Sequence, residues 1–226
     1  MKEVINHDLF AIKTEQVKSL RDIVAESLRE AIVTGKLQPG EHLKERELSS
    51  LMGVSTTPIK EAFRMLGREG LVETIPRKGT YVSNVAESTI QEVQMLRAVL
   101  EGLCAKLAAQ KITEQQKVKM KEQITKMEQL LEAKEIDRLI EANTRFHQII
   151  KEAAASTMIN QVLENTASLD KAFRKRALMN DSELKYGFVE HKKVYEAIIH
   201  HHDELAEHLM KDHILRTLHD VLKTKE

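Results

Sequence analysis

The stretch ERELSSLMGVSTTPIKEA, residues 45–62, decides the fold of the first third of the chain. Glu45 to Met52 has the length of a two-turn helix, and Gly53-Val54-Ser55 follows it. Glycine accepts the left-handed backbone that ends a helix, and serine is a preferred N-cap, so the triplet closes one helix and opens another. That next helix spans about Thr56 to Glu69, with Ile59, Ala62, Phe63 and Leu66 on one face. Two short helices joined in this way make a helix-turn-helix. Upstream, a helix from about Val17 to Thr34 repeats Leu20, Ile23, Val24, Leu28, Ala31 and Ile32 at helical spacing. Gly35 ends it, and Leu37-Gln38-Pro39-Gly40 turns the chain. Downstream, Gly70 stops the third helix, and two β-prone runs, Leu71 to Ile75 and Thr80 to Val82, flank Pro76-Arg77-Lys78-Gly79. This is a hairpin with a basic tip, and the whole order is that of a winged helix-turn-helix.

Such a domain places the N-terminal residues of its third helix against base edges in the major groove. Here those residues are Thr56, Thr57 and Lys60, while Arg46 on the bracing helix and Arg77 and Lys78 on the wing face phosphates or the minor groove. Taken singly they are also ordinary solvated side chains; the order and length of the elements carry the reading. Lys and Arg total 35, as do Asp and Glu. Binding to double-stranded DNA therefore rests on local placement of charge, not on a basic chain.

Glycine and proline are unevenly spread. All three prolines lie between Gly35 and Gly79, and after Gly102 only Gly187 remains. The first third is therefore much interrupted and the rest is long helices. We read helices near 87–110, 113–132, 135–154, 157–179, 182–201 and 203–223, joined through a linker at Ser83 to Ser88. The fold class is mainly α: a winged helix-turn-helix over residues 1–84 and an antiparallel bundle of about six helices over 85–226. With no Trp and 4% aromatics, the cores are built from Leu, Ile, Val, Ala and Met. The single cysteine, Cys104, has no disulfide partner and reads as a small buried hydrophobe. No apolar run has the ~18–20 residues that span a bilayer. Met1 to Phe10 carries Lys2, Glu3 and Asp8 and lacks the apolar core of a signal peptide, so the expected compartment is the cytoplasm, with no membrane.

Ten histidines are many for this length. At 100° per residue, His147 and Asn143, one turn apart, fall within the face formed by Ile136, Leu139, Ile140, Phe146 and Ile150. His191 shares a face with Phe188, Val194, Tyr195 and Ile198. His213 lies amid Leu205, Ala206, Leu209, Met210, Thr217 and Val221, with His208 and His219 on the opposite side. Three helices thus send a histidine inward. Either these are core residues with satisfied rings, or they share a divalent metal such as zinc or nickel, which relieves the cost of burying unpaired imidazoles. His200, His201 and His202 end a helix and read as a solvated cap. A metal-activated hydrolase is the enzymatic alternative. The inward faces offer Tyr195 and no evident base or nucleophile, so an enzyme is not the expectation.

Residues 29–41, 45–48, 53–62 and 69–73 closely resemble the GntR family of bacterial repressors. The resemblance implies a homodimer on a short palindromic operator. It carries a DNA-contacting role onto Arg46, Thr57, Lys60, Lys78 and Gly79. Thr56 stands where the family often has Arg, and threonine cannot make the bidentate contact that arginine makes with guanine. Lys60, where Arg is common, is a point charge in place of a fork. The second half resembles the helical ligand-sensing (FCD) domain of the FadR-type branch at Arg97, Leu100-Glu101, Asn143, Phe146-His147, Glu190-His191 and His213. Six helices make it similar to the VanR-like subgroup. The resemblance implies a divalent metal held by Asn143, His147, His191 and His213, with Asn143 replacing an aspartate. It also implies a small-molecule effector, an organic acid, beside the metal. Arg97 either pairs with that carboxylate or forms an ion pair with Glu101.

Overall fold

The computed structural model describes residues 18–223. The readings of Met1 to Phe10 and of a helix starting at Val17 fall outside them. Helix α1 (Leu20–Val33) opens on Ser19, whose hydroxyl accepts the Asp22 N–H. It buries Val24, Ala25, Leu28, Ile32 and Val33. Leu20 and Ile23, read as inward from their spacing, are exposed in the first turn. Strand β1 (His42–Leu43) was not visible in the sequence. Helices α2 (Glu45–Met52) and α3 (Thr56–Arg68) are separated by Gly53, whose φ of 65° is the left-handed turn read from the triplet. Ser55 has the extended backbone of an N-cap but makes no side-chain cap bond. Strands β2 (Val72–Ile75) and β3 (Gly79–Val82) form the hairpin, and β1 pairs antiparallel with β3 to give sheet order β1-β3-β2.

Arg29 on α1 grips Glu69 at the end of α3 through two bonds, Nε to Oε2 at 2.7 Å and Nη2 to Oε1 at 2.6 Å. This bidentate pair fixes the third helix against the first.

Seven helices follow: α4 (Ala86–Lys111), α5 (Glu114–Glu132), α6 (Ile136–Ala154), α7 (Thr157–Glu164), α8 (Ala167–Ala177), α9 (Asp181–Ile199) and α10 (Asp203–Lys223). The architecture is the mainly α one expected. The single helix read over 157–179 is two, and the count of six that favoured the VanR-like subgroup becomes seven. The break sits at Asn165-Thr166, where the Thr166 N–H and hydroxyl both return to the Leu163 carbonyl, at 3.1 and 3.0 Å. A threonine that satisfies a helix-end carbonyl with its own side chain competes with continuation. Helix α5 begins with a reciprocal capping box between Thr113 and Gln116. No helix among the described residues is long and apolar enough to cross a membrane.

Two hydrophobic cores result. One lies within α4–α7, α9 and α10, around Phe146, Met120, Ile150, Ile198 and Met210, and includes Cys104, whose thiol burial pushes up to about 12. The other belongs to α1, α3 and the sheet, and is completed by Leu169 and Phe173 of α8 and Leu218 and Val221 of α10. Helix α8 is therefore shared. Its Lys171 and Lys175 reach Glu26 and Glu30 of α1 at 2.7 Å each. Arg176 donates to the Val33 and Val221 carbonyls and to Glu87.

Candidate nucleic-acid interface and metal centre

The third helix keeps its apolar face, Ile59, Ala62, Phe63 and Leu66, in the core and turns the other outward. Thr57 and Lys60 are exposed on its first turns, and Thr56 is half-buried. Arg64 and Arg68, also exposed, extend Lys60 into a row at four-residue spacing that the sequence reading passed over. Arg46 is exposed on α2. Lys60 also lies 3.4 Å from Glu45, so that carboxylate shares its charge.

At the wing, the Lys78 N–H closes the turn onto the Ile75 carbonyl at 3.0 Å. Arg77 occupies φ 65° at the third position of this turn, and its side chain and that of Lys78 are exposed. Gly79 sits at φ 118° with the His42 ring packed where a Cβ would project. His42 in turn stacks on Tyr81 at 4.5 Å, and the Tyr81 hydroxyl donates to the Lys78 carbonyl. The wing tip is thus braced from the first strand, which the sequence did not reveal.

Inside the helical half, His147 (α6), His191 (α9) and His213 (α10) are all buried. They come together so that one ring nitrogen of each lies within 4.8 Å of the others. His147 Nε2 and His191 Nε2 are 3.1 Å apart. His147 Nδ1 faces Glu101 Oε2 at 2.5 Å, and His213 Nδ1 faces Glu190 Oε2 at 2.7 Å. A carboxylate can only accept from these rings, so each Nδ1 carries a hydrogen and Nε2 is the nitrogen left to face a metal. Two of the three rings are thereby set in the tautomer that ligates a metal, each by a carboxylate partner. The third, His191, has no carboxylate partner at its buried Nδ1.

Electrostatics favours the neutral form of His147 and of His191. Burial, then the Arg174 guanidinium, holds His147 well below the usual imidazole range, against the pull of Glu101. Burial and the two neighbouring histidines hold His191 down as well. Burial alone would raise Glu101, but Arg97, His147 and Arg174 outweigh it and keep the carboxyl well below its ordinary range. Glu190, opposed by burial but bonded to His213 and Arg216, drops to about 2. Three buried imidazoles, two of them with carboxylate partners, suit a borderline divalent cation such as zinc or nickel, so the residues present fit a metal.

A cavity of about 30 Å³ adjoins the histidines, lined among others by Gln94, Arg97, Asn143, Arg174, Glu183 and Thr217. Arg97 forms the ion pair with Glu101. Nε and Nη2 both donate to Glu101 Oε1, Nη1 donates to Gln94 Oε1, and Asp170 of α8 pairs with the same guanidinium. Asn143 lies at the cavity with its oxygen accepting from Arg174 Nη1 at 3.0 Å. Arg174 and Asp170 were not singled out in the sequence, because α8 itself was not separated there. His208 and His219 are exposed, as their helical angle predicts, but Leu205, read as inward, is 48% exposed. His201 does more than cap a helix: its Nδ1 faces the Ala109 carbonyl at 2.7 Å and anchors the α9–α10 turn to α4.

Residues 20–82 match the family model described as "Bacterial regulatory proteins, gntR family", and residues 92–216 match the FCD domain. The HTH-type transcriptional repressor RspR of Escherichia coli is 26% identical over 187 residues, covering 83% of this chain and 82% of RspR. The HTH-type transcriptional regulator YdhC of Bacillus subtilis is 25% identical over 189 residues, 83% of each chain. Among solved structures, E. coli McbR/YncC superposes with a TM-score of 0.69 at 20% identity, covering 93% of this chain and all of that one.

Proposed function

The chain belongs to the gntR family of bacterial regulatory proteins with an FCD domain, DNA-binding transcriptional regulators and not enzymes, and from that premise we propose a ligand-responsive repressor. Residues 1–84 bind DNA and residues 85–226 sense a small molecule. The protein acts as a homodimer in the bacterial cytoplasm, on a short palindromic operator whose two-fold symmetry matches its own. Thr56, Thr57 and Lys60 face base edges; Arg46, Arg77, Lys78 and the backbone at Gly79 hold the phosphates and the minor groove. His147, His191 and His213 hold a divalent cation, zinc or nickel, which when bound supplies an electrophilic site for an effector carboxylate. The effector is an organic acid. Its binding changes how α8 supports α1 and so the placement of the recognition helix.

The observation that carries this reading is the convergence of three buried histidines, two with Nδ1 tied to a carboxylate, beside a cavity whose α8 wall also packs into the core of the DNA-binding half. Fluorescence anisotropy tests it. The full-length protein is titrated against labelled DNA from upstream of its own gene and against scrambled DNA, at several salt concentrations. Preference for the upstream sequence is the expected result. Equal affinity for both at every salt concentration sinks the proposal.

A further inference from the structure

Asn143 and Arg174 face one another, and both are almost fully buried. An amide offers one oxygen, and here it accepts from the guanidinium; what remains is an NH2 group, which donates and does not ligate a cation. An oxygen already facing one cation is also a poor seat for a second.

The two arginines at the cavity differ in what they have left to give. Arg97 has all three of its nitrogens bonded to Glu101 and Gln94. Arg174 gives Nε to Asp170 at 2.9 Å and Nη1 to Asn143, while its Nη2 comes no nearer than 3.6 Å to Glu101 Oε1, an ion-pair distance. Gln94, fully buried at the same cavity, has an Nε2 with no acceptor at all. Two donor groups without acceptors on one small cavity call for a ligand group that only accepts.

Charge allows it. Around the histidines stand three arginines (Arg97, Arg174, Arg216) against five carboxylates (Glu101, Asp170, Glu183, Glu190, Asp220), a formal balance of two negative charges. A divalent cation brings this to neutrality and removes the repulsion that an anion would otherwise meet, so the unfilled donors decide what binds. A cavity of about 30 Å³ has room for roughly two waters, and hence for one compact head group.

We infer that Arg174, positioned by Asn143 and Asp170, is the residue that receives the carboxylate of the effector. Gln94 Nε2 is the second donor, and Asn143 serves Arg174 and not the metal. The inference rests on the metal-and-effector reading proposed above, and the test separates the two. Full-length wild type and variants are titrated with zinc against a chromogenic chelator, and with sodium acetate against chloride at matched ionic strength by thermal shift. Asn143→Leu should keep its zinc affinity within about 3-fold, while His191→Ala loses at least ~10-fold. Arg174→Gln should abolish the acetate response, Arg174→Lys should keep part of it as a point charge without the fork, and Asn143→Leu should weaken it. Zinc loss in Asn143→Leu equal to that in His191→Ala overturns the inference, and so does a wild-type acetate response in Arg174→Gln. If wild type takes up no zinc, the metal reading falls; acetate titration of chelator-treated protein still decides for or against Arg174. No acetate response in either form of wild type also overturns the inference.

Discussion

Acidifying the chelator-treated protein from pH 6.5 to 5.5 should remove about 2 kcal/mol of folding stability through two side chains. His147 and His191 are buried with their rings held neutral, and each has a folded-state pKa well below the ordinary imidazole value. The unfolded chain takes up a proton on each ring near pH 6.5, whereas the folded chain does not. Below that point the unfolded state binds more protons, so stability falls with pH until the folded pKa is reached. One pH unit below 6.5 costs about 1 kcal/mol for each ring. Glu101 and Glu190 also have lowered pKa values, but their stabilisation is complete above the ordinary carboxyl pKa and is lost only in stronger acid. The window from 6.5 to 5.5 therefore isolates the histidines. With no Trp in the chain, urea unfolding is best followed by circular dichroism at each pH. His147→Gln and His191→Gln should each halve the slope. A flat profile, or the same slope in the doubly substituted protein, refutes the account of neutral buried rings.

Three other outcomes follow from contacts. Glu69→Ala should cost about 3 kcal/mol or more, because it strands the 4%-exposed Arg29 side chain, whereas Arg29→Ala leaves the 23%-exposed Glu69 able to hydrate and should cost less; chemical denaturation of both variants decides the order. Gly79→Ala should destabilise by about 1–3 kcal/mol and weaken DNA binding, since φ 118° disfavours a Cβ and the His42 ring occupies its place; a variant with unchanged operator affinity contradicts this. Arg176→Ala should speed hydrogen exchange in the last turn of α1. Lys171→Ala or Lys175→Ala, each a solvent-screened pair worth well under about 1 kcal/mol, should leave it nearly unchanged.

The parts legible in the sequence were those enforced by backbone chemistry or helical angle. Gly53 and Ser55 placed α2 and α3 to within a residue, because few residues accept a left-handed turn followed by a cap. The inward histidines followed from 100° per residue on long helices. That rule failed at Leu20, Ile23 and Leu205, all in first turns, where a helix projects beyond its neighbours. Two-residue β1 shows no periodicity to read. The α7–α8 break carries no Gly or Pro, only Thr166 turning its hydroxyl back on Leu163. What supports the histidines was not legible: the roles of Glu101, Glu190, Asp170 and Arg174 exist only once α4, α8, α9 and α10 have packed. Asn143 could be placed on the right face, but its bond to Arg174 spans 31 residues and a helix that had not been separated.

Helix α8 has a consequence for engineering. Of its 11 residues, Asp170 and Arg174 look into the cavity region, while Lys171, Lys175 and Arg176 hold α1 and its surroundings. A cut at residues 84 and 85 is clean along the chain and runs through a core in space, since Leu169, Phe173, Leu218 and Val221 pack with α1, α3 and the sheet. A chimera that swaps only the first 84 residues sets Lys171 and Lys175 against a foreign α1. Transplanting sensor to reader between relatives therefore requires α1 and α8 to travel together, although 133 residues separate the end of one from the start of the other.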